Sequence, residues 1–314
     1  MSKNIAVIGA GLIGRSWAMV FGRAGHRVAL YDAFPDALDA SERLLDASLA
    51  DLENNGLIAS ASETRARIRR ADTLEDAVEG ADWVQENALE QVPVKRDLFS
   101  RMDALAPADA IIASSTSAIP CHEITDGMAG AARMLVAHPA NPPYLLPIVE
   151  LSGAEATSAE TLSRSRAFLE EVGMAVITIN KPVKGFVLNR LQVAVLNEAF
   201  KLVEDGVVSG ADLDKTLKHG LGLRWSFMGP METIDLNAPS GIRDYLERFG
   251  PSFEEIAVEQ SETRPWTSER YQRMEQERRN VMSQDQLPER TAWRDRRLMA
   301  LMRHKMQAAE EIGE

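Results

Sequence analysis

The chain has 314 residues, which is long enough for two domains, and its 45% hydrophobic and 26% charged residues are the proportions of an ordinary globular protein. The net charge of −12 argues against a nucleic-acid partner, and the lack of any apolar run of about 20 residues argues against a membrane partner. The one cysteine, Cys121, excludes an intrachain disulfide and a cysteine-based zinc site, and we expect no metal. Because the sequence enters a strand soon after Met1 without a secretory signal pattern, we expect a cytoplasmic protein.

The first half of the chain alternates short apolar runs with amphipathic segments, a pattern typical of a parallel sheet with crossover helices. Seven strands are predicted, at residues 4–8, 27–31, 83–86, 110–113, 133–137, 148–151 and 175–178. The polar segment 35–72 is predicted to form two helices that break near residues 54–56. It contains four clustered arginines: Arg65, Arg67, Arg69 and Arg70. We predict that they form a solvated helix face, and a phosphate-binding patch is the alternative.

No strand is predicted after Lys184. Residues 185–203 carry apolar side chains at helical spacing, a turn rich in glycine and proline follows at 219–230, and the charged tail from residue 254 has a largely helical pattern. The predicted fold class is therefore α/β. A Rossmann-type domain with a mostly parallel sheet occupies residues 1–183, and an all-helical domain for substrate binding and dimerisation occupies residues 184–314.

A glycine-rich turn follows the first predicted strand and leads into a helix. It reads Gly9-Ala10-Gly11-Leu12-Ile13-Gly14, the GxGxxG pattern of dinucleotide-binding sites. The first glycine permits the tight bend, the second lets the backbone approach a pyrophosphate, and the third allows the helix to pack closely on the strand. The next strand ends at Asp32, where a carboxylate binds the ribose hydroxyls and repels a 2′-phosphate. The sequence therefore predicts that the cofactor is NAD.

A histidine and a glutamate flank a proline-rich loop in the sequence LVAHPANPPYLLPIVEL. His138 closes one predicted strand and Glu150 lies within the next, so a chain that reverses near Tyr144 brings the two side chains face to face. A carboxylate-oriented imidazole is a suitable general base for an alcohol, because it titrates near neutrality and the carboxylate stabilises the imidazolium. A structural histidine at a strand end is the alternative. Beside a nucleotide site, we favour the general base.

Polar residues follow two further predicted elements. Residues 114–117, SSTS, come directly after an apolar strand, where side chains line the ligand crevice of an open α/β sheet. Ser115 is predicted to contact the cofactor and Ser117 to donate a hydrogen bond to the reacting oxygen, although serines in such a place often cap the next helix. Asn189 lies on the first turn of the long helix after Lys184, and its amide can hold a substrate oxygen.

These four features, in this order and over the whole chain, resemble the 3-hydroxyacyl-CoA dehydrogenase family. The resemblance implies that His138 is the base, that Glu150 orients it, and that Ser117 and Asn189 contact the substrate. It also implies further cofactor contacts from Glu90 in ENALE, Lys95 in VPVKRDLF, and Asn141. Relatives pair through the helical domain, so the expected partner is a second copy of this chain in a homodimer.

Within the family, the chain is more similar to the branch of the lambda-crystallins and L-gulonate 3-dehydrogenases, and L-carnitine dehydrogenases share much of its pattern. Acyl-CoA members usually have GxPMGP where this chain has LRWSFMGP at residues 223–230. Arg224 and Trp225 are inserted there, and a guanidinium can bind a free carboxylate through two hydrogen bonds. In the alternative, Arg224 pairs with a structural carboxylate at a domain or dimer interface.

The favoured function is the NAD-dependent oxidation of the 3-hydroxyl of a small L-3-hydroxy acid, L-gulonate-like, to the 3-keto acid. One alternative is an L-3-hydroxyacyl-CoA dehydrogenase in which the arginines of residues 65–70 receive the CoA phosphates. A second is an L-carnitine dehydrogenase, in which Trp225 with Tyr144 or Phe227 encloses the quaternary ammonium. A third is a non-catalytic, crystallin-like NAD-binding protein, against which the complete set of predicted catalytic residues counts.

Overall fold

The computed structural model describes residues 1–313, and one eight-stranded sheet forms the framework of its N-terminal part. The strands are β1 (Asn4–Ile8), β2 (Arg27–Tyr31), β3 (Ile68–Arg70), β4 (Trp83–Glu86), β5 (Ile111–Ser114), β6 (Met134–Pro139), β7 (Ile148–Ser152) and β8 (Ala175–Thr178). Their order in the sheet is β3-β2-β1-β4-β5-β6-β7-β8. The pairs are parallel except for β6 with β7, which is antiparallel. The predicted fold class, a Rossmann-type sheet domain followed by helices, is confirmed.

Helices of the same part of the chain pack on both faces of this sheet, which explains why its strands read as continuous apolar runs. Ile5 and Val7 of β1 belong to one core, and the alternate residues Ala6 and Ile8 belong to the other. Since successive side chains of a strand point to opposite faces, the two cores lie on opposite sides of the sheet. The helices are α1 (Leu12–Arg23), α2 (Pro35–Asn54), α3 (Ala61–Ala66), α4 (Leu74–Val78), α5 (Val92–Leu105), α6 (Cys121–Thr125), α7 (Ala159–Glu171), α8 (Leu188–Glu204), α9 (Gly210–Thr216), α10 (Gly222–Trp225), α11 (Pro230–Asp235), α12 (Ile242–Gln260), α13 (Ser268–Arg279) and α14 (Leu287–Ile312).

All seven predicted strands are present, and the structure adds β3, which the sequence analysis missed. This strand has three residues, of which only Ile68 is buried, so its sequence carries no apolar alternation. Its pairing with β2 makes it an edge strand, and the prediction of a helix face is therefore wrong for Arg69 and Arg70. Short edge strands rich in charge are common because they discourage pairing with other chains.

The four clustered arginines bind carboxylates of the same part of the chain. The ion pairs are Arg65 with Glu42 and Asp46, Arg67 with Glu63, Arg69 with Asp76, and Arg70 with Asp39. These contacts join α2, α3, β3 and α4, so the cluster has a structural use. The arrangement disfavours a phosphate-binding patch, because a phosphate would have to displace carboxylates that are already bound.

The residues after Lys184 are helical, as predicted, but two details differ. Helix α8 begins at Leu188, because Gly185 and Phe186 have φ angles of 76° and 51° and so lie in the left-handed region. The turn predicted at 219–230 is wrong for its first part, where a π-helical segment (Leu217–Leu221) leads directly into α10. Arg224 therefore lies on a short helix. Among residues 1–313, no helix is long and apolar enough to cross a membrane, and no cluster of three potential metal ligands occurs.

Internal contacts divide the chain into two compact units. The first consists of Met1–Arg190 together with Asp295–Arg303, a segment of α14. This segment places Met299, which is 1% exposed, in the same core as Leu45 and Leu49 of α2. The second unit consists of Leu191–Arg294 and the chain from His304 onward, and the regular elements of its described residues are helices joined by turns and loops.

Candidate active site

Four of the parallel strands end at the same edge of the sheet and deliver the candidate site residues there. Strand β1 lies between β2 and β4. After β1 the chain builds the sheet on the β2 side, and it then crosses to the other side of β1 to form β4. Such a switch point in an open α/β sheet forms a crevice beyond the carboxyl ends of the strands, where ligands bind. The glycine turn follows β1, Glu90 follows β4, and Ser117 follows β5. His138 lies near the end of β6.

The glycine turn has the shape that a dinucleotide requires. Gly9 has a φ of 96°, and a Cβ there would lie 2.7 Å from the carbonyl oxygen of Asn87. A Cβ on Gly14 would lie 1.7 Å from the carbonyl oxygen of Gly9, whereas one on Gly11 would meet no atom within 4 Å. Gly11 is also the N-cap of α1, and no side chain caps this helix. The open side of Gly11 and the first N–H groups of α1, at Leu12 and Ile13, therefore fit a pyrophosphate.

Asp32 is placed where a ribose can reach it. Its Oδ2 accepts a hydrogen bond from the N–H of Ala10 at 2.7 Å, and its Oδ1 accepts one from the N–H of Phe34 at 2.9 Å. These bonds fix the carboxylate against the glycine turn. The side chain remains partly exposed, and each carboxylate oxygen still has a lone pair for a ribose hydroxyl.

Ser115 was predicted to contact the cofactor, but its hydroxyl is already saturated. Its Oγ accepts hydrogen bonds from Trp17 Nε1 at 3.0 Å and Gln85 Nε2 at 2.8 Å, and it donates to Asn87 Oδ1 at 2.7 Å. A hydroxyl offers one donor and two acceptor sites, and all three are used. The backbone N–H of Ser115 donates to the carbonyl oxygen of Glu86 at 2.8 Å, so its backbone carbonyl is the group left for a bound cofactor. The hydroxyl instead ties the loop after β5 to that after β4.

Lys95 is buried in a pocket of acceptors. Its side chain is 1% exposed, and Nζ lies 2.9 Å from Oε1 of Glu86 and 3.5 Å from Oε2 of Glu90. A third contact, at 3.2 Å, is made to the carbonyl oxygen of Ala88. These groups use the three protons of the ammonium, so Lys95 holds the loop after β4 and has no proton left for a ligand. Sequence reasoning missed Glu86, although a carboxylate at the end of a buried strand signals a partner nearby.

Glu90 fixes the turn that carries Ser117. Its Oε1 accepts hydrogen bonds from the Thr116 hydroxyl at 2.6 Å, from the Ser117 N–H at 2.8 Å and from the Ala118 N–H at 3.1 Å. Burial opposes ionisation, but the hydrogen bonds and the charge of Lys95 outweigh it, so the pKa of Glu90 lies below its ordinary value. The side chain of Ser117 is exposed.

Asn189 is joined directly to this turn. Its Nδ2 donates a hydrogen bond of 2.8 Å to the backbone carbonyl of Ser117. The structure thus brings together Ser117 and Asn189, which are 72 residues apart in the chain. The amide keeps one N–H and its oxygen for another partner. Asn141 lies beyond the end of β6 and is exposed.

His138 and Glu150 face each other across the antiparallel pair of β6 and β7, as predicted. They are register partners, and Nδ1 of His138 lies 2.7 Å from Oε2 of Glu150. The other carboxylate oxygen accepts the N–H groups of Val187 at 2.8 Å and Leu188 at 2.9 Å, at the start of α8. Burial alone would raise the pKa of Glu150. The hydrogen bonds from His138 and from these two N–H groups have the larger combined effect and bring the pKa below its ordinary value, so the carboxylate is ionised at neutral pH.

The ring of Phe186 packs against the imidazole of His138, and the sequence analysis did not identify Phe186 as a site residue. Its ring centroid lies 5.4 Å from that of His138, and the residue is 1% exposed. The left-handed backbone at this position is unusual for a bulky residue and costs about 1–3 kcal/mol. The bond from Glu150 at Nδ1 and the packing of Phe186 leave Nε2 as the nitrogen that can take up a proton.

Comparisons with known proteins identify the family of the chain. Residues 4–182 match the family profile of the 3-hydroxyacyl-CoA dehydrogenase NAD binding domain, and residues 185–279 match that of the 3-hydroxyacyl-CoA dehydrogenase C-terminal domain. The chain is 39% identical to the lambda-crystallin homolog of Bos taurus, over 97% of this chain and 96% of that protein. It is 40% identical to an L-carnitine dehydrogenase of Streptomyces coelicolor, over 84% of this chain and 80% of that protein.

A solved structure is similar over nearly the whole chain. It is that of 5-formyl-3-hydroxy-2-methylpyridine 4-carboxylic acid 5-dehydrogenase, an NAD+-dependent dismutase, with a TM-score of 0.85 and 29% identity. The similarity covers 96% of this chain and 98% of that one. The chain therefore belongs to the 3-hydroxyacyl-CoA dehydrogenase family, and it is an NAD-dependent dehydrogenase that acts on a CH–OH group.

Proposed function

We propose that the chain oxidises the 3-hydroxyl of a small L-3-hydroxy acid with a free carboxylate, L-gulonate-like, to the 3-keto acid. The observation that carries the alcohol chemistry is the buried pair of His138 and Glu150, with 2.7 Å between Nδ1 and the carboxylate. An ionised carboxylate at Nδ1 fixes the tautomer in which Nε2 is the free base.

In this proposal, Nε2 of His138 removes the proton of the substrate hydroxyl as the C–H bond at C3 breaks. Bound NAD supplies the acceptor for the hydride from C3. Glu150 stabilises the imidazolium that forms. The hydroxyl of Ser117 and the remaining amide hydrogen of Asn189 donate to the reacting oxygen and hold it in place. The products are the 3-keto acid, NADH, and a proton that leaves through His138.

The cofactor contacts that we propose come from the edge of the sheet described above. The N–H groups of Leu12 and Ile13 hold the pyrophosphate at the open side of Gly11, and Asp32 accepts the ribose hydroxyls. Asn141 is retained as a proposed contact because it is exposed near the end of β6. Exchange of Asp32 for alanine is expected to weaken NADH binding and to favour NADPH in relative terms, as a fluorescence titration of both cofactors would measure.

We propose that Arg224 binds the substrate carboxylate. Among the described residues of its own unit, its guanidinium forms no ion pair, which disfavours the alternative of a structural partner within that unit. Two similar proteins are named for substrates that are free acids, carnitine and a pyridine carboxylic acid, and both are more similar in sequence to this chain than the solved 3-hydroxybutyryl-CoA dehydrogenases, which are 26–28% identical. We expect Arg224→Ala to raise the KM for the hydroxy acid about tenfold or more, because a two-point contact with a carboxylate is lost.

Arg243→Ala is the matched control for Arg224→Ala. Arg243 lies on α12 and is 89% exposed, and among the described residues its one ion pair is with Glu247, one turn away. Its loss is expected to leave KM unchanged. If the KM of Arg224→Ala stays within twofold of the wild-type KM, the proposed contact between Arg224 and the substrate carboxylate is refuted.

An L-carnitine dehydrogenase is the second candidate, favoured by the identity of 40% to the Streptomyces coelicolor protein. Trp225 and Phe227 are 40% and 66% exposed, so their ring faces are available to a quaternary ammonium. Tyr144 cannot form part of this cage, as the sequence analysis had considered, because it is 5% exposed in the core of the first unit.

A substrate panel separates these functions. NADH formation is measured at 340 nm with L-gulonate, L-carnitine, L-3-hydroxybutyrate and the CoA ester of L-3-hydroxybutyrate. We expect the highest kcat/KM with one of the free acids. Preference for the CoA ester refutes the free-acid proposal, and we disfavour that outcome because Arg65, Arg67, Arg69 and Arg70 are bound to carboxylates. Turnover with none of the four favours the non-catalytic protein.

We also propose a homodimer formed through the helical unit. Helix α12 has no buried residue, and Tyr245, Phe249 and Phe253 form an aromatic row along it with ring centroids 4.8 to 6.2 Å apart. Phe249 and Phe253 are more than 40% exposed. Large exposed apolar patches of this kind mark interaction surfaces. Sedimentation velocity is expected to give twice the chain mass of 34.6 kDa.

A further inference from the structure

The loop between β6 and β7 joins the two members of the proposed catalytic pair. It consists of residues 140–147, and the last register pair before it is Pro139 with Val149. His138 and Glu150 form the next pair. The pair therefore lies one step from a loop without regular structure, and this loop fixes the end of the hairpin on which the imidazole and the carboxylate face each other.

Tyr144 lies in the middle of this loop and anchors it at three points. Its ring belongs to the core formed by α1, α2 and the sheet, where the residue is 5% exposed. Its carbonyl oxygen accepts a hydrogen bond of 2.8 Å from Nη1 of Arg23, at the end of α1. Its hydroxyl donates to Oδ2 of Asp295, on α14, at 3.4 Å. Two helices from opposite ends of the sequence therefore hold the loop.

The segment of α14 that carries Asp295 is itself firmly placed in the first unit. Met299 and Leu298 pack in its core, and Nδ2 of Asn55 contacts the Met299 sulfur at 3.5 Å. Burial, and then the charge of Asp295, raise the pKa of Tyr144 to about 12. The phenol therefore remains a hydrogen-bond donor at neutral pH.

We infer that Tyr144 and Asp295 are positioning residues that hold the loop between His138 and Glu150, so that the last helix of the chain sets the geometry of the general base. This inference rests on the proposed roles of His138 and Glu150. It gives α14 a part in the reaction although Asp295 is 145 residues beyond Glu150 in the sequence. Neither residue touches the reacting atoms.

The test uses Tyr144→Phe and Asp295→Asn in the full chain, since the first removes the hydroxyl, the second removes the charge of its acceptor, and both keep the size of the side chain. Hydrogen exchange of the amides of residues 140–150 is expected to become several-fold to about tenfold faster in both variants, as the loss of one hydrogen bond implies. With the best substrate of the panel, kcat is expected to fall by a similar factor. The Kd for NADH, measured by fluorescence, is expected to stay within twofold.

Matched controls are Tyr271→Phe and Asp97→Asn. Tyr271 is 53% exposed and Asp97 is exposed, and neither side chain has a hydrogen-bond partner within its own unit among residues 1–313. Both controls are expected to leave exchange and kcat unchanged. The double variant Tyr144→Phe/Asp295→Asn is expected to lose less than the two single variants together, because both changes act on the same contact.

Two results overturn the inference. One is unchanged exchange of residues 140–150 in both single variants, and the other is unchanged kcat. A merely structural role would lower the melting temperature of both variants without lowering kcat. The variant His138→Gln distinguishes failure of the proposed function from failure of this inference. If His138→Gln retains most of the wild-type kcat, the general base is another residue, and the proposed function fails independently of the results for Tyr144 and Asp295.

Discussion

Replacement of Glu150 by glutamine separates the charge of this carboxylate from its shape. In the wild type, one oxygen accepts the N–H groups of Val187 and Leu188, and the other faces Nδ1 of His138. A glutamine amide has one oxygen, which the two backbone N–H groups require. Its NH2 group must then face Nδ1, so the imidazole has to place its proton on Nε2. That tautomer cannot accept a proton from the substrate.

The size of the effect follows from the contacts that change. A hydrogen bond to a charged group contributes about 1.5–3 kcal/mol, and each 1.36 kcal/mol is a factor of ten in rate, so the lost charge alone lowers kcat about 10- to 150-fold. The wrong tautomer adds to this, as in the Asp-to-Asn change of serine proteases, where kcat drops about 10⁴-fold. We therefore expect Glu150→Gln to lower kcat by about 10²-fold or more.

The assay is NADH formation under saturating NAD and substrate, with NADH binding measured separately by fluorescence. We expect the Kd for NADH to change less than about threefold, because His138 and Glu150 act on the alcohol. Glu150→Ala provides the contrast: it leaves two backbone N–H groups without an acceptor, at about 1–3 kcal/mol each, whereas glutamine retains that acceptor. A Glu150→Gln enzyme with more than a tenth of the wild-type kcat would refute this account of the base.

Three further predictions concern the first unit. Gly14→Ala is expected to unfold or strongly destabilise the protein, because its Cβ would lie 1.7 Å from the carbonyl oxygen of Gly9. Gly11→Ala is expected to keep the melting temperature but to weaken NADH binding about tenfold or more, because its Cβ would occupy the open side that faces the pyrophosphate. His26 is buried, which lowers its pKa below the ordinary value for histidine of about 6.5. The folded protein therefore loses stability as the pH falls below about 6.5, because the unfolded chain binds the proton more readily. Urea unfolding should therefore show a decline of up to about 1.4 kcal/mol per pH unit between pH 6.5 and 5 that is reduced in His26→Gln. Met299→Ala should cost about 2–5 kcal/mol in the same assay because it leaves a cavity in the core; a loss below about 1 kcal/mol would mean that α14 is not part of this core.

The parts of the fold that the sequence predicted depend on local patterns. Buried parallel strands are continuous apolar runs, and the GxGxxG turn has a shape that glycines alone permit, so both can be recognised without knowledge of distant residues. The pairing of His138 with Glu150 was also local, because a hairpin brings together residues at equal distances from its centre. The position of β3 was missed because its three residues gain their stability from β2 rather than from their own pattern.

The roles of charged residues were less predictable, because they depend on partners distant in sequence. The arginines of residues 65–70 bind carboxylates as far as 31 residues away. Lys95 was taken as a cofactor contact from its motif alone, whereas burial forces it to pair with Glu86 and Glu90. A buried ammonium must have its protons satisfied inside the protein, and only the tertiary structure shows which acceptors are near.

The same limit applies to the way in which the catalytic residues are held, because most of the contacts involved are with the backbone. Glu90 accepts the N–H groups of the turn after β5, and Glu150 accepts those at the start of α8. Asn189, on the first turn of that helix, donates to the carbonyl of Ser117 and so joins the two carboxylates through one chain of hydrogen bonds. Backbone groups are the same in every sequence, so no residue pattern reveals such a connection. It follows that displacement of the turn held by Glu90 would be transmitted to the helix start that orients Glu150, and with it to His138.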